Sequence, residues 1–144
     1  MKRLKVLVGA LACSAVLLSG GSALAANPHF VQGPTFTEDG GQLTVDGKVA
    51  GLGNTESVLI VLEATAVREC TNPGSKDHKP PGLKRTQVTA SDTFSVDNGQ
   101  VTFSLTTDPA PIKPCPGKQT ASFSFEDASV SVFVDGELVL HEEA

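Results

Sequence analysis

Phe94-Ser95-Val96-Asp97-Asn98-Gly99-Gln100-Val101-Thr102-Phe103-Ser104-Leu105 alternates apolar and polar residues on both sides of a polar interruption. Phe94 and Val96 share one face of the first arm, and Val101, Phe103 and Leu105 share one face of the second. A period of two belongs to an extended chain with one face buried. Asn-Gly takes the positive φ angles of a tight turn more readily than most pairs. The stretch therefore predicts two antiparallel strands meeting at Asn98-Gly99, with an all-β fold around them.

The same signature continues outward in both directions. Leu43, Val45, Gly47 and Val49 alternate with Thr44, Asp46 and Lys48. From Val58 to Cys70 both faces begin apolar, which predicts a strand lying centrally in a sheet. Towards the C-terminus come Ala121, Phe123 and Phe125, then Val130, Val132 and Val134, and Asp135-Gly136 before Leu138 and Leu140 predicts a last hairpin. Residues 71–83 and the segment 107–118, with Pro109, Pro111, Pro114 and Pro116, are punctuated by residues that stop ladders and read as loops. No repeat, heptad or long 3.6-residue stripe follows residue 25. About seven short strands with such loops predict an antiparallel, immunoglobulin-like β-sandwich rather than a barrel.

The chain begins Met1-Lys2-Arg3-Leu4-Lys5, runs through an apolar stretch from Val6 to Leu18, and reaches Ala23-Leu24-Ala25 after a small polar segment. A basic start, a short apolar run and small residues three and one before a break make a secretory signal, with cleavage after Ala25. The apolar run is shorter than the ~20 residues that cross a bilayer, which argues against an anchor. Cleavage before Cys13, as in a lipoprotein, would leave only a stub of the apolar run. Residues 1–25 are thus read as the signal peptide and 26–144 as one secreted domain. Its size suffices for a single core, built from Phe, Val, Leu and Ile because the chain has no Tyr or Trp.

The leader takes three of the 11 basic residues, leaving 8 against 16 acids and a formal charge of −8. Such a domain repels phosphate backbones, and nucleic acid is not expected as a partner. After the leader only Cys70 and Cys115 remain, so a single intramolecular pairing is open to them. Outside the cell that pair is expected as a disulfide closing a loop of about 45 residues.

Candidate chemistry is thin. His29 stands fourth from the expected new terminus, and a cut one residue later would put Pro28 in the path of an amino-terminal copper chelate, so a capping or packing role fits it better. His78 lies in a Lys-rich loop and His141 beside Glu142 and Glu143 at the chain end. There is no Gly-x-Ser-x-Gly elbow. Glu38-Asp39-Gly40-Gly41, Asp97-Asn98-Gly99 and Asp135-Gly136 are turn sequences without the spacing of a twelve-residue calcium loop. No catalytic residue, metal ligand or cofactor is assigned. One asymmetry remains: Arg68, Lys76, Lys79, Lys84 and Arg85 face only Glu69 and Asp77 between positions 68 and 85. This basic loop on an acidic domain is a candidate for recognising an acidic extracellular protein or an anionic cell-surface polymer.

Asn27-Pro28-His29-Phe30, Val49-Ala50-Gly51-Leu52-Gly53, Cys70-Thr71-Asn72-Pro73-Gly74, Pro80-Pro81-Gly82 and Cys115-Pro116 together resemble a group of small secreted actinobacterial proteins. That resemblance implies export, a β-sandwich and a disulfide, and brings no catalytic residue. Lys48-Val49-Ala50-Gly51 and the segment Val88 to Thr106 are fainter in their similarity to the neocarzinostatin-type apoproteins, which are also exported, acidic and immunoglobulin-like. Those have two disulfides where this chain has cysteines for one.

The expected function is that of a non-catalytic β-sandwich outside the cell or at its envelope, acting by binding or by structural presence. The alternatives are a carrier holding a small hydrophobic ligand between its sheets and, behind it, a secreted hydrolase. Amino-terminal sequencing of protein recovered from the culture medium should find Ala26 first and no Cys13. A lipid-modified Cys13 would move the protein to the membrane.

Overall fold

The computed structural model describes residues 27–72 and 83–144. The expected signal peptide with its cleavage after Ala25, and Lys76, Lys79 and His78, lie outside the described residues. The chain forms β1 (His29–Asp39), β2 (Gln42–Ala50), β3 (Ser57–Thr71), β4 (Lys84–Ser95), β5 (Val101–Thr106), β6 (Thr120–Val134) and β7 (Glu137–Glu143). One sheet has the order β1-β2-β5 and the other β4-β3-β6-β7, with every pair antiparallel. This is an immunoglobulin-like sandwich whose fourth strand sits beside the third. Among the described residues no helix is long and apolar enough to cross a membrane.

The strands form where alternation demands, with two differences. Residues 121–125 and 130–134 belong to one strand, β6, which continues through a bulge opposite Ala64 where Asp127 takes a φ of 52°. β1 carries no clean alternation in sequence because Gly33-Pro34 falls within it and its pairing with β2 shifts register on both sides of Gln32. Proline is tolerated there because β1 is an edge strand.

The Asn98-Gly99 turn forms as expected, with φ of 49° and 71°, and Asp97 and Gln100 exchange backbone hydrogen bonds of 2.8 and 2.9 Å. The hairpin it was expected to close does not. Beyond that bridge β4 joins β3 in one sheet and β5 joins β2 in the other. Competing partners draw the arms apart: Val96 N–H donates to the Glu56 carbonyl (2.9 Å), and Leu52 N–H donates to the Gly99 carbonyl (3.0 Å). The apolar faces of the two arms meet across the sandwich instead of side by side, and the Phe94 and Phe103 rings pack edge to face with centroids 6.1 Å apart. Phe103 finds room because its cross-strand partner is Gly47, where a Cβ would come within 2.7 Å of the ring.

Leu43, Val45 and Val49 of β2, Val58, Ile60 and Leu62 of β3, Val101 and Phe103 of β5, and Val130 and Val132 of β6 fill the space between the sheets, all buried. Each buried aliphatic side chain of this size contributes roughly 1.5–3 kcal/mol. The segment after β5 is anchored before it crosses: Thr107 N–H donates to the Leu43 carbonyl (2.9 Å), Leu43 N–H to Thr107 Oγ1 (3.0 Å), and Ala110 N–H to the Gly41 carbonyl (3.0 Å). It then reaches the other sheet, where Cys115 is bonded to the buried Cys70 with Cα atoms 5.7 Å apart.

Because this bridge spans a sequence separation of 45 residues, reduction or Cys115→Ala should lower stability by about 2–4 kcal/mol. Denaturant unfolding of oxidised and reduced protein measures it, and equal midpoints would show that the bridge holds nothing together.

Candidate functional site

Strand β7 pairs with β6 only from Ser129 to Val134, so the first half of β6 has no strand on that side. The free edge is met by β1: Phe125 N–H donates to Glu38 Oε1 at 3.2 Å. Charge-assisted bonds of this kind are among the stronger ones at a surface. Beside it, where β7 stops and the β6 bulge begins, a cleft of about 430 Å³ opens. Phe36, Leu43 and Phe125 give it apolar walls, and Glu38, Asp127, Glu143, Ser129 and His141 give it polar ones. A shallower groove of about 470 Å³, between Gly33–Phe36 and Glu142–Ala144, shares Phe36, Glu143 and Ala144 with it. The carboxylates stand around the cleft without converging, and among the described residues no three His, Cys, Asp or Glu side chains are grouped to hold a metal.

His141 is not at a fraying end. It lies in β7 directly opposite Ser131, with Nδ1 2.9 Å from Ser131 Oγ, and its Nε2 is 3.9 Å from Glu143 Oε1. Sequence reasoning missed this row for a definable reason. An unbulged hairpin turning at Asp135-Gly136 would pair Ser131 with Leu140. The register shift between Val132 and Phe133 leaves Val139 as the extra residue and brings His141 into place. A serine, an imidazole and a carboxylate in line invite comparison with a hydrolase. Ser131, however, sits mid-strand between Val61 of β3 and His141 of β7, where its amide and carbonyl belong to the sheet. Backbone N–H groups free to stabilise an oxyanion are what that position lacks. His29 accounts for itself locally, its Nδ1 donating to the Asn27 carbonyl at 2.8 Å.

The basic segment separates into unlike parts. Lys84 and Arg85 are exposed at the start of β4, and Arg85 reaches across β3 to Glu126, 3.2 Å away, in a solvent-exposed pair worth at most about 1 kcal/mol. Arg68 does not project from a loop. It lies in β3, 5% exposed, in phase with Ile60, Leu62, Ala64 and Ala66 on the inner face. Its Nε and Nη1 have no hydrogen-bond partner among the described residues. Its cross-strand neighbours are Phe123 on one side and Lys84 on the other. The sequence carried a signal for this, since the period of two that runs from Val58 to Cys70 includes position 68.

No protein-family model, curated protein or solved structure matches the chain. The site is therefore read from its chemistry.

A buried guanidinium whose Nε and Nη1 find no partner among the described residues opposes folding, because burying a charge costs free energy that only pairing and hydrogen bonds return. Arg68→Met should therefore melt at or above the temperature of the parent. A drop equivalent to about 2 kcal/mol or more would mean that the guanidinium has a partner in the folded protein.

Proposed function

We propose that the protein is a non-catalytic binding domain working outside the cell, and that the cleft between β1 and the first half of β6 is its ligand seat. The observation that carries this reading is the composition of the cleft: two phenylalanines and a leucine beside three carboxylates, in a volume suited to a small molecule. Aromatic faces and carboxylates both favour a cation, which fits a small organic amine with an apolar body. The formal −8 of the domain without its leader favours the same sign of ligand. The space between the sheets is filled by the core, so a ligand of this kind would sit at the side of the sandwich.

Benzylammonium, with benzyl alcohol as its neutral counterpart, separates the alternatives in an amide-shift titration of the disulfide-bonded chain. The amine should move the Phe125 and Asp127 signals and the alcohol should not. Asp127→Asn, which suits the left-handed backbone at that position, and Glu143→Gln should each weaken the amine about 3- to 10-fold, in line with an exposed charge contact. Equal response to the alcohol would favour the carrier of a neutral hydrophobic ligand, and no response to either would remove the cleft as the seat.

A further inference from the structure

Among the described residues the sandwich has four edge strands, and three of them are poor templates for another chain. β1 contains Pro34 and two register shifts, β5 is six residues long, and β7 is interrupted by the shift between Val132 and Phe133. β4 differs: Lys84 to Ser95 pairs with β3 without a bulge, contains no proline, and has no charged residue from Thr86 to Ser91.

The side to which each β4 amide points is fixed by two contacts. Val96 N–H donates towards β3, to the Glu56 carbonyl, so even-numbered positions face the ladder. Thr93 N–H is instead taken by its neighbour Asp92 Oδ1 at 2.8 Å, so odd-numbered positions face away. Arg85, Gln87, Thr89 and Ser91 thus present their N–H and C=O groups along an open edge, with no backbone partner there among the described residues.

We propose that this edge pairs with the β4 edge of a second copy of the chain, antiparallel about a two-fold axis at Val88. The occupant follows from charge. In that register Gln87 lies opposite Thr89 and Arg85 opposite Ser91, so odd positions exchange about eight backbone hydrogen bonds. Lys84 of each copy lies opposite Asp92 of the other. Lys84 also stands beside Arg68 within its own sheet, a pair of like charges that an incoming carboxylate offsets. Moving the axis by one residue either way separates Lys84 from Asp92. The result is one eight-stranded sheet running through both copies, with the clefts at β6 remote from the junction.

Sedimentation equilibrium of the disulfide-bonded chain across micromolar to millimolar concentrations should show a monomer–dimer equilibrium. Thr89→Pro, which removes an outward donor and leaves the β3 ladder its own, should give a monomer that keeps its β-type circular dichroism. Lys84→Glu and Asp92→Lys should each weaken the dimer about tenfold or more by setting like charges opposite one another, and the double exchange should restore it. Should Thr89→Pro fail to fold, the charge exchange carries the test alone. A chain that stays monomeric throughout, or a dimer indifferent to both charge variants, overturns the proposal.

Discussion

The inner face of β3 is the constraint on which the rest of the molecule depends. Val58, Ile60, Leu62, Ala64, Ala66, Arg68 and Cys70 point into the sandwich in strict alternation, while the two edges of the strand are taken by β4 and β6. Its apolar half packs against β2 and β5, and its last inward residue is the half-cystine that holds the crossing segment. Period-two geometry leaves no freedom at position 68: with Ala66 and Cys70 facing inward, the guanidinium must face inward too. A one-residue slip that freed Arg68 would expose Ile60 and Leu62, which is far more costly than one buried charge carried on an apolar stem.

The cleft proposed as the ligand seat arises where that regularity ends. β7 is about half as long as β6, so half of the β6 edge is left to find other partners. Glu38 from the opposite sheet supplies one, and drawing β1 across the gap creates the cleft with its apolar walls and acidic surround. The bulges contribute in the same way. The one at Asp127 turns a carboxylate towards the cleft, and the one after Val132 aligns Ser131, His141 and Glu143. The core is thus regular and purely structural, and the polar groups that converge do so at interruptions of pairing.

Charge follows the same division. Lys84 and Asp92 sit near opposite ends of β4, on the face that points inwards but beyond the reach of the facing sheet, where both remain exposed. Between them Arg85 extends the basic end, and Thr86 to Ser91 carries no charge. An edge strand with a neutral centre and opposite charges at its ends is complementary to its own antiparallel copy, whereas the acidic end of β7 repels itself.

The sequence by itself determined what is local. Alternation located β2, β3, the end of β4, β5, the two halves of β6 and β7, Asn98-Gly99 and Asp135-Gly136 specified tight turns, and the two cysteines beyond residue 25 allowed one pairing. These are legible because backbone period, turn φ angles and cysteine arithmetic depend on neighbouring residues or on counting alone. Tertiary structure decided the partners. Only packing made Phe94 and Phe103 face one another between sheets, because both arms of the Asn98-Gly99 turn had apolar faces to bury and a separate strand waiting to pair with each. Only a bulge put His141 rather than Leu140 beside Ser131, and only the shortness of β7 gave Glu38 an amide to receive. Register, bulges and unpaired edges are set by competition among strands far apart in sequence, and no local pattern records its outcome.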